Sequence, residues 1–223
     1  MRIQLGIIVM MGVLGVVAAA PAQAGAISLG GGWQANWDGS LDPYVGIEVL
    51  DITDSAIFIR KSAQFIQGPV NGIFPSVPIV FQQVDASVIQ YIVIEEESIL
   101  NSTGVAWTDF HMDLLDHGDA AFVFRDGVSG GLVPMMGFSV SPFTQSVFTN
   151  PQRLDIWGGV VDPGQVWNPG AGPDGGQLWI GVVSAPAGTP GALFTLKETP
   201  TPEPASLVLL ALGAWAVVRR PKR

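Results

Sequence analysis

Three side chains that can bind metals alternate along one segment of the chain, at Asp109, His111 and Asp113. Alternation of this kind places the three on one face of a β-strand, with the apolar residues between them on the other. Same-face neighbours lie about 6.6–6.8 Å apart along a strand, too far for all three to reach one ion unaided. The pattern therefore favours the solvent-facing side of an antiparallel sheet over a metal site.

A second acidic group lies at Asp113, Asp116 and Asp119, with His117 and Gly118 before the last of them. Calcium takes oxygen ligands from loops, so this strand-end segment is a candidate calcium site. Its spacing does not match the EF-hand loop, however, and Asp and Gly are also ordinary turn residues. We predict no metal and no cofactor for the chain, and leave calcium binding at this loop open.

Residues 127–131 satisfy the G-x-S-x-G pattern of a serine nucleophile elbow. Such an elbow requires a helix after Ser129, which Pro134 opposes. The α/β-hydrolase order also places a histidine after the serine, whereas the only histidines, His111 and His117, precede it. The segment therefore favours a glycine-rich turn, and we predict that the protein is not an enzyme.

Six tryptophans lie between the two ends of the chain, three in predicted strands and three in predicted loops. Those in strands, which we expect in the core, are Trp107, Trp157 and Trp179. Those in loops, which are candidates for a sugar-binding face, are Trp33, Trp37 and Trp167. Asn101, Ser102 and Thr103 match a glycosylation sequon, but with Gly104 they have the composition of a tight turn, which we favour.

The elements that position these residues are predicted to be strands. Segments rich in Val, Ile, Phe and Trp, separated by Gly, Pro, Asn and Asp, cover residues 44–52, 56–60, 77–84, 88–97, 105–115, 120–125, 154–161, 177–183 and 192–198. No internal segment sustains a helical apolar period. The pattern predicts an all-β fold, a single antiparallel β-sandwich of jelly-roll-like form. In this scheme Glu95, Glu96 and Glu97 must leave the core.

The N-terminus has the features of a signal peptide. Arg2 supplies a positive charge, an uncharged apolar stretch follows, and Ala22, Gln23 and Ala24 fit a small-x-small cleavage site. We therefore predict a signal peptide at residues 1–24 and Gly25 as the first mature residue.

The region between the two ends, residues 25–198, is predicted to be the exported domain. It holds five basic and eighteen acidic residues, a net charge of −13. Such a domain repels nucleic acid and anionic lipid, so we predict no nucleic-acid partner. The chain has no cysteine, so its core must hold the fold without disulfides.

The C-terminus combines a proline-rich segment at 199–204, an uncharged apolar segment at 205–218 and a basic end. The apolar segment would form about 21 Å of helix, close to a membrane span if the flanking arginines reach the interface. We predict a transmembrane helix and basic tail at 205–223. The residues expected to stay cytoplasmic are Arg219, Arg220, Lys222 and Arg223.

Pro202, Glu203 and Pro204, followed by the apolar helix and basic end, resemble the PEP-CTERM sorting signal of Gram-negative bacteria that make exopolysaccharide. The resemblance implies export across the inner membrane, with exosortase as a transient partner that cleaves near this motif. Residues 101–111 and 194–198 resemble, more loosely, segments of PEP-CTERM proteins with an all-β exported domain.

These features together predict an exported, exosortase-processed protein of the cell surface or extracellular matrix. We expect it to be non-catalytic and associated with exopolysaccharide or biofilm, with membrane contact through its C-terminal helix before processing. A carbohydrate-binding module, lectin-like and calcium-dependent, is the alternative. An enzyme such as a two-carboxylate glycosidase is the third hypothesis.

Overall fold

The computed structural model describes residues 25–115, 119–123, 139–170, 176–186 and 191–202. Strands dominate these residues, and their one helical element is a single 3-10 turn at Gly39–Leu41. The all-β class predicted from the sequence is confirmed. In this part of the chain no helix has the length and apolar character to cross a membrane.

Several predicted features lie outside the described residues. These are the signal peptide with Ala22 and Ala24, the G-x-S-x-G segment, Asp116, Glu203, Pro204, and the apolar and basic segments of the C-terminus with Arg219, Arg220, Lys222 and Arg223.

Thirteen strands are formed by the described residues. They are β1 (Gly25–Gly30), β2 (Trp33–Trp37), β3 (Val45–Ile52), β4 (Ala56–Phe65), β5 (Val77–Gln83), β6 (Tyr91–Asn101), β7 (Trp107–Leu115), β8 (Ala120–Val123), β9 (Gln145–Asn150), β10 (Arg153–Val161), β11 (Val166–Trp167), β12 (Leu178–Val182) and β13 (Leu193–Thr201). Each of the nine predicted segments overlaps one of these strands.

The strands form two sheets. The seven-stranded sheet has the order β1-β2-β5-β13-β7-β10-β9, and the six-stranded sheet has the order β3-β4-β6-β12-β8, with β11 paired to β6. One expectation was wrong: β4 and β6 pair in parallel, so the second sheet is mixed rather than purely antiparallel. The connection from β4 to β6 passes through β5 of the other sheet, which lets the two strands run in the same direction. The jelly-roll-like sandwich form stays a prediction.

Strands β1, β2, β9 and β11 were not predicted from the sequence. β1 and β2 are short and contain Gly, Ser, Gln and Asn, while β9 is almost entirely exposed and largely polar. β11 has only two residues. Such segments lack the apolar enrichment that marks a strand in sequence, and their pairing partners stabilise them instead.

Residues of both sheets contribute to one hydrophobic core. At one end of it Phe65 of β4 packs edge-on against Trp107 of β7, with ring centroids 5.2 Å apart. Phe110 of β7 meets Trp167 of β11 at 4.8 Å, also edge-on. Contacts between aromatic rings from different sheets hold the two layers together at this end.

Candidate functional site

The last strand of the fold, β13, lies in the middle of the seven-stranded sheet. It pairs with β5 over Leu193–Glu198 and with β7 over Thr195–Thr201. The predicted linker at 199–204 therefore begins inside a strand, because Thr199 to Thr201 still pair with β7. Pro202 follows the strand directly. The first residue of the Pro-Glu-Pro motif thus adjoins the folded sheet without a spacer.

Pro200 occupies a position in β13 that tolerates proline. A proline has no N–H to donate and is found in sheets where one side of the strand lacks a partner. The pairing of β5 with β13 ends at Glu198, so Pro200 pairs only with β7, opposite Phe110. The side chain of Pro200 is buried nonetheless. The sheet can therefore continue into the proline-rich segment that the sequence marks as the start of the tail.

A charged triad lies in the core between the two sheets. Nζ of Lys61 lies 2.5 Å from Oε1 of Glu97, and 2.7 and 2.8 Å from the two carboxylate oxygens of Glu198. The three side chains are 0%, 2% and 0% exposed. Lys61 and Glu97 are opposite each other in the β4–β6 pair, and Glu198 belongs to β13 of the other sheet. The triad therefore connects the two sheets.

The expectation that Glu97 leaves the core was wrong. Glu95 and Glu96 are exposed, but Glu97 is buried because it pairs in register with the buried Lys61. A sequence signal for this site did exist. Lys61 lies two positions from Ile59 and from Ala63, so it shares the apolar face of β4 with them. That is the position of a core residue rather than of a surface lysine.

The three charges of the triad cannot balance when all are ionised, because two carboxylates face one ammonium. Burial raises the pKa of Glu198 to about 8, with the negative charge of Glu97 acting in the same direction and Lys61 opposing it. Burial alone would lower the pKa of Lys61, but the two carboxylates outweigh it and raise that pKa. At neutral pH Glu198 therefore holds a proton.

A second polar cluster lies on the outer face of the seven-stranded sheet. Nδ1 of His111 and Nε of Arg153 each lie 2.7 Å from Oδ1 of Asp155, and Thr149 donates a hydrogen bond to the other oxygen of this carboxylate. Nη1 of Arg153 also donates to Asp113, at 3.0 Å. The predicted faces of β7 are confirmed: Asp109, His111 and Asp113 are partly exposed, and the buried residues of the opposite face are Phe110, Met112 and Leu114.

The electrostatics of this outer cluster favour an ionised carboxylate. Partial burial would raise the pKa of Asp155, but hydrogen bonds from Thr149, His111 and Arg153, with the charge of Arg153, outweigh it and hold the pKa below its ordinary 3.8. The acidic groups are thus paired with a cation of the chain itself. Among the described residues, no three His, Asp or Glu side chains are grouped to hold a metal ion.

The tryptophan predictions were wrong for five of the six side chains. Trp33 and Trp167, expected in loops, are each 1% exposed and belong to the core. Trp157, expected in the core, is 38% exposed, and Trp179 is half-buried beside Phe58 and Tyr91.

The predicted core position of Trp107 is confirmed, whereas Trp37, expected in a loop, lies in strand β2. Trp37 is half-buried, and its Nε1 donates to Oδ1 of Asp42 at 2.9 Å. The structure therefore does not bring the three loop candidates together as an exposed sugar-binding face. The reason is that β2 and β11, which carry them, are strands whose residues alternate into the core.

Asn101 is a structural residue of a turn, as the sequence indicated. Its side chain is 0% exposed, and its Nδ2 donates to the carbonyl oxygens of Val105 and Val161 at 2.9 Å each. Its Oδ1 accepts hydrogen bonds from the amide and hydroxyl of Thr103. Every polar atom of the side chain is occupied, so the formal sequon offers no accessible nitrogen.

Part of the candidate calcium loop lies within the described residues. Oδ2 of Asp119 accepts a hydrogen bond from the amide of Leu193, and Asp113 is paired with Arg153. The two carboxylates thus have partners within the chain. Asp116, between them, lies outside the described residues, so calcium binding at this loop stays untested.

The end of β13 coincides with a similarity to known proteins. A family model described as the PEP-CTERM protein-sorting motif matches residues 200–223. Neither a curated protein nor a solved structure matches the chain. The chain is therefore a PEP-CTERM domain-containing protein, and its motif implies export, exosortase processing and a place in the cell envelope or at the cell surface. The match begins at Pro200, so fold and sorting motif share the last residues of β13.

Proposed function

We propose that this protein is a non-catalytic surface or matrix component whose β-domain is delivered by the C-terminal motif and acts through contact with extracellular polysaccharide. In this proposal a signal peptide ending at Ala24 directs export in a Gram-negative bacterium. The two sheets form a sandwich, supported by their shared core and by the triad between them. The acidic composition keeps the domain soluble at the surface.

The observation that carries this proposal is the position of the motif relative to the sheet. Strand β13 is complete at Thr201, and the motif begins at the next residue, Pro202. Cleavage at or after the motif would remove the apolar tail without taking one residue of the central strand. The three motif residues span at most about 11 Å when extended, so processing would take place close to the folded domain.

The carbohydrate-binding alternative has less support than it had from the sequence. Two of its three proposed platform residues, Trp33 and Trp167, are in the core. The enzymatic alternative has no specific support in the described residues either, because the acidic groups of the two charged clusters are engaged with each other and with cations of the chain. We therefore propose that the surface of the domain contacts the polysaccharide, rather than that a defined pocket binds a sugar.

The sorting part of the proposal is tested by intact mass. The full chain is produced in a host that contains an exosortase, and the masses of the secreted and membrane-bound products are measured. We expect a product that begins at Gly25 and ends in the Pro-Glu-Pro region. A product that still carries Arg223 would contradict processing and would indicate a permanent anchor.

A pair of matched variants isolates the motif. Glu203→Ala is expected to impair processing while membrane insertion is retained, and Glu95→Ala, at an exposed glutamate of β6, is expected to be processed normally. Normal processing of Glu203→Ala would contradict the role of the motif. Polysaccharide contact is tested separately, by co-sedimentation of the processed protein with the extracellular polysaccharide of the host. A processed protein that does not co-sediment would contradict the polysaccharide contact but not the sorting assignment.

A further inference from the structure

The geometry of the buried triad is that of an amine facing a carboxyl group. Nζ of Lys61 is almost equidistant from the two oxygens of Glu198, at 2.7 and 2.8 Å, so it faces the carboxyl carbon between them. Glu97 presents one oxygen to the same nitrogen, at 2.5 Å. None of the three side chains is more than 2% exposed.

The surroundings of the triad are apolar. The register neighbour of Lys61 on β3 is Ile47, and the neighbours of Glu198 on β5 and β7 are Val77 and Met112. All three are buried residues of the core. The triad is thus a nucleophile, an electrophile and a proton carrier enclosed together away from solvent.

We propose that Lys61 and Glu198 condense into an intramolecular amide, with Glu97 as the acid and base that carries the proton. Nothing in the sorting assignment requires this bond, and the inference is independent of the proposed function.

The reaction balances without any co-reactant. Nζ passes a proton to Glu97, and its lone pair then forms a bond to the Cδ carbon of the protonated Glu198 carboxyl. Glu97 takes up the second proton from nitrogen as it returns the first to the departing hydroxyl. The C–O bond breaks, one water molecule leaves, and Glu97, which began as a carboxylate, ends as a neutral carboxylic acid that holds the remaining proton.

Three physical effects favour this condensation. Fixed proximity replaces a bimolecular encounter, which in oriented systems corresponds to effective concentrations of about 10⁵ M or more. The raised pKa of Glu198, caused by burial, keeps that carboxyl protonated and therefore electrophilic at neutral pH. Buried charges are also costly, and the amide converts an ammonium and a carboxyl group into a neutral unit.

The bond would connect parts of the chain that are far apart in sequence. Lys61 and Glu198 are separated by 137 positions and lie on opposite sheets. In a chain without cysteine, such a link would serve where other exported domains use a disulfide. Glu198 also precedes the motif residue Pro202 by only four positions, so tension on the tail would pass through the bond to β4.

The test is the mass of the full-length protein, followed by tandem mass spectrometry of its tryptic peptides. We expect the intact protein to be lighter by one water molecule than the mass calculated for the same residues without the bond. We also expect trypsin to skip Lys61 and one branched peptide to contain Lys61 and Glu198. A folded wild-type protein with the full unlinked mass after prolonged incubation would overturn the proposal. A water loss mapped to any other pair of residues would also overturn it.

Variants separate the chemistry from folding. Lys61→Arg keeps the buried cation but cannot form the amide, so it should show the full mass with an unchanged circular-dichroism spectrum. Glu97→Gln retains both reacting groups and should remain unlinked or link at least tenfold more slowly. Glu95→Gln, on the exposed side of β6, is the control and should link like the wild type. Equal linking rates in the Glu97 and Glu95 variants would overturn the role given to Glu97.

Discussion

Nζ of Lys61 and Oε2 of Glu198 lie 2.8 Å apart, although the residues are 137 positions apart in the sequence and belong to different sheets. Lys61 sits on β4, next to the edge strand of the six-stranded sheet, and Glu198 sits on the middle strand of the seven-stranded one. A charged contact at this depth ties the final strand of the domain to the opposite layer. Loss of this contact should therefore lower the stability of the whole domain.

The first prediction concerns the removal of the buried cation. Lys61→Met leaves the Glu97 carboxylate buried without a counter-charge beside the protonated Glu198, and loss of one partner of such a group typically costs about 3–5 kcal/mol. We expect a decrease of that size in the free energy of unfolding at pH 7, measured by urea denaturation. The matched control is Lys197→Met, at a partly exposed position of the same strand as Glu198, with an expected effect below about 1 kcal/mol. Equal stability of the two variants would contradict the structural role of the triad.

The second prediction concerns pH and the outer cluster. The pKa of Asp155 is lowered in the folded state, so its contribution to stability is present above its ordinary value of 3.8 and is lost as the pH falls through the lower folded value. Asp155→Asn should cost about 1–3 kcal/mol at pH 7, and the difference from wild type should shrink below about pH 4.

Unfolding by urea at a series of pH values measures this difference for Asp155→Asn. The control is Asp54→Asn, at an exposed aspartate on a turn, with an expected change within about 0.5 kcal/mol. A wild-type advantage over Asp155→Asn that persists undiminished at pH 2 would show that the hydrogen-bond geometry, rather than the ionised carboxylate, accounts for the effect.

The third prediction concerns the buried asparagine of the turn after β6. Asn101→Ala leaves the carbonyl oxygen of Val161 without this donor in a buried site, while that of Val105 keeps the hydroxyl of Thr103 within reach, so the cost should be about 1–3 kcal/mol. Thermal unfolding measures the loss. Asn150→Ala, at an exposed position of β9, is the matched control and should change the stability far less. A similar effect of the two substitutions would be inconsistent with the turn's contribution.

The fourth prediction concerns the boundary of the domain. A chain of residues 25–202 contains all of β13 and should fold into a strand-rich, protease-resistant protein. A chain that ends at Ala192 lacks the middle strand and leaves β5 and β7 each with one unpaired edge, so it should aggregate or be digested. Far-UV circular dichroism and limited proteolysis distinguish the two. Equal protease resistance would mean that β13 is dispensable.

Local patterns predicted much of the fold. The apolar segments with turn residues between them located nine strands, and alternation assigned His111 and Asp113 to the outer face of β7. The same reasoning was wrong where a partner from elsewhere changed the environment. Glu97 looked like a surface residue beside two exposed glutamates, but it is buried, where it pairs with Lys61 of the neighbouring strand.

The tryptophans illustrate the same limit. Trp33 and Trp167 stand among glycines and polar residues in sequence, which is typical of loops, yet pairing of β2 with β5 and of β11 with β6 turns both rings inward. A two-residue strand has no recognisable period of its own. Its conformation is set by the strand to which it hydrogen bonds.

The sorting motif, the all-β class and the faces of the long strands are local properties, because each depends on residues adjacent in the chain and on the two-residue period of a strand. Three other features are not local: the parallel pairing of β4 with β6, the central place of β13 and the contact of Lys61 with Glu198. They depend on which strands become neighbours and on what faces them across the core, and those choices are made by packing between segments far apart in sequence.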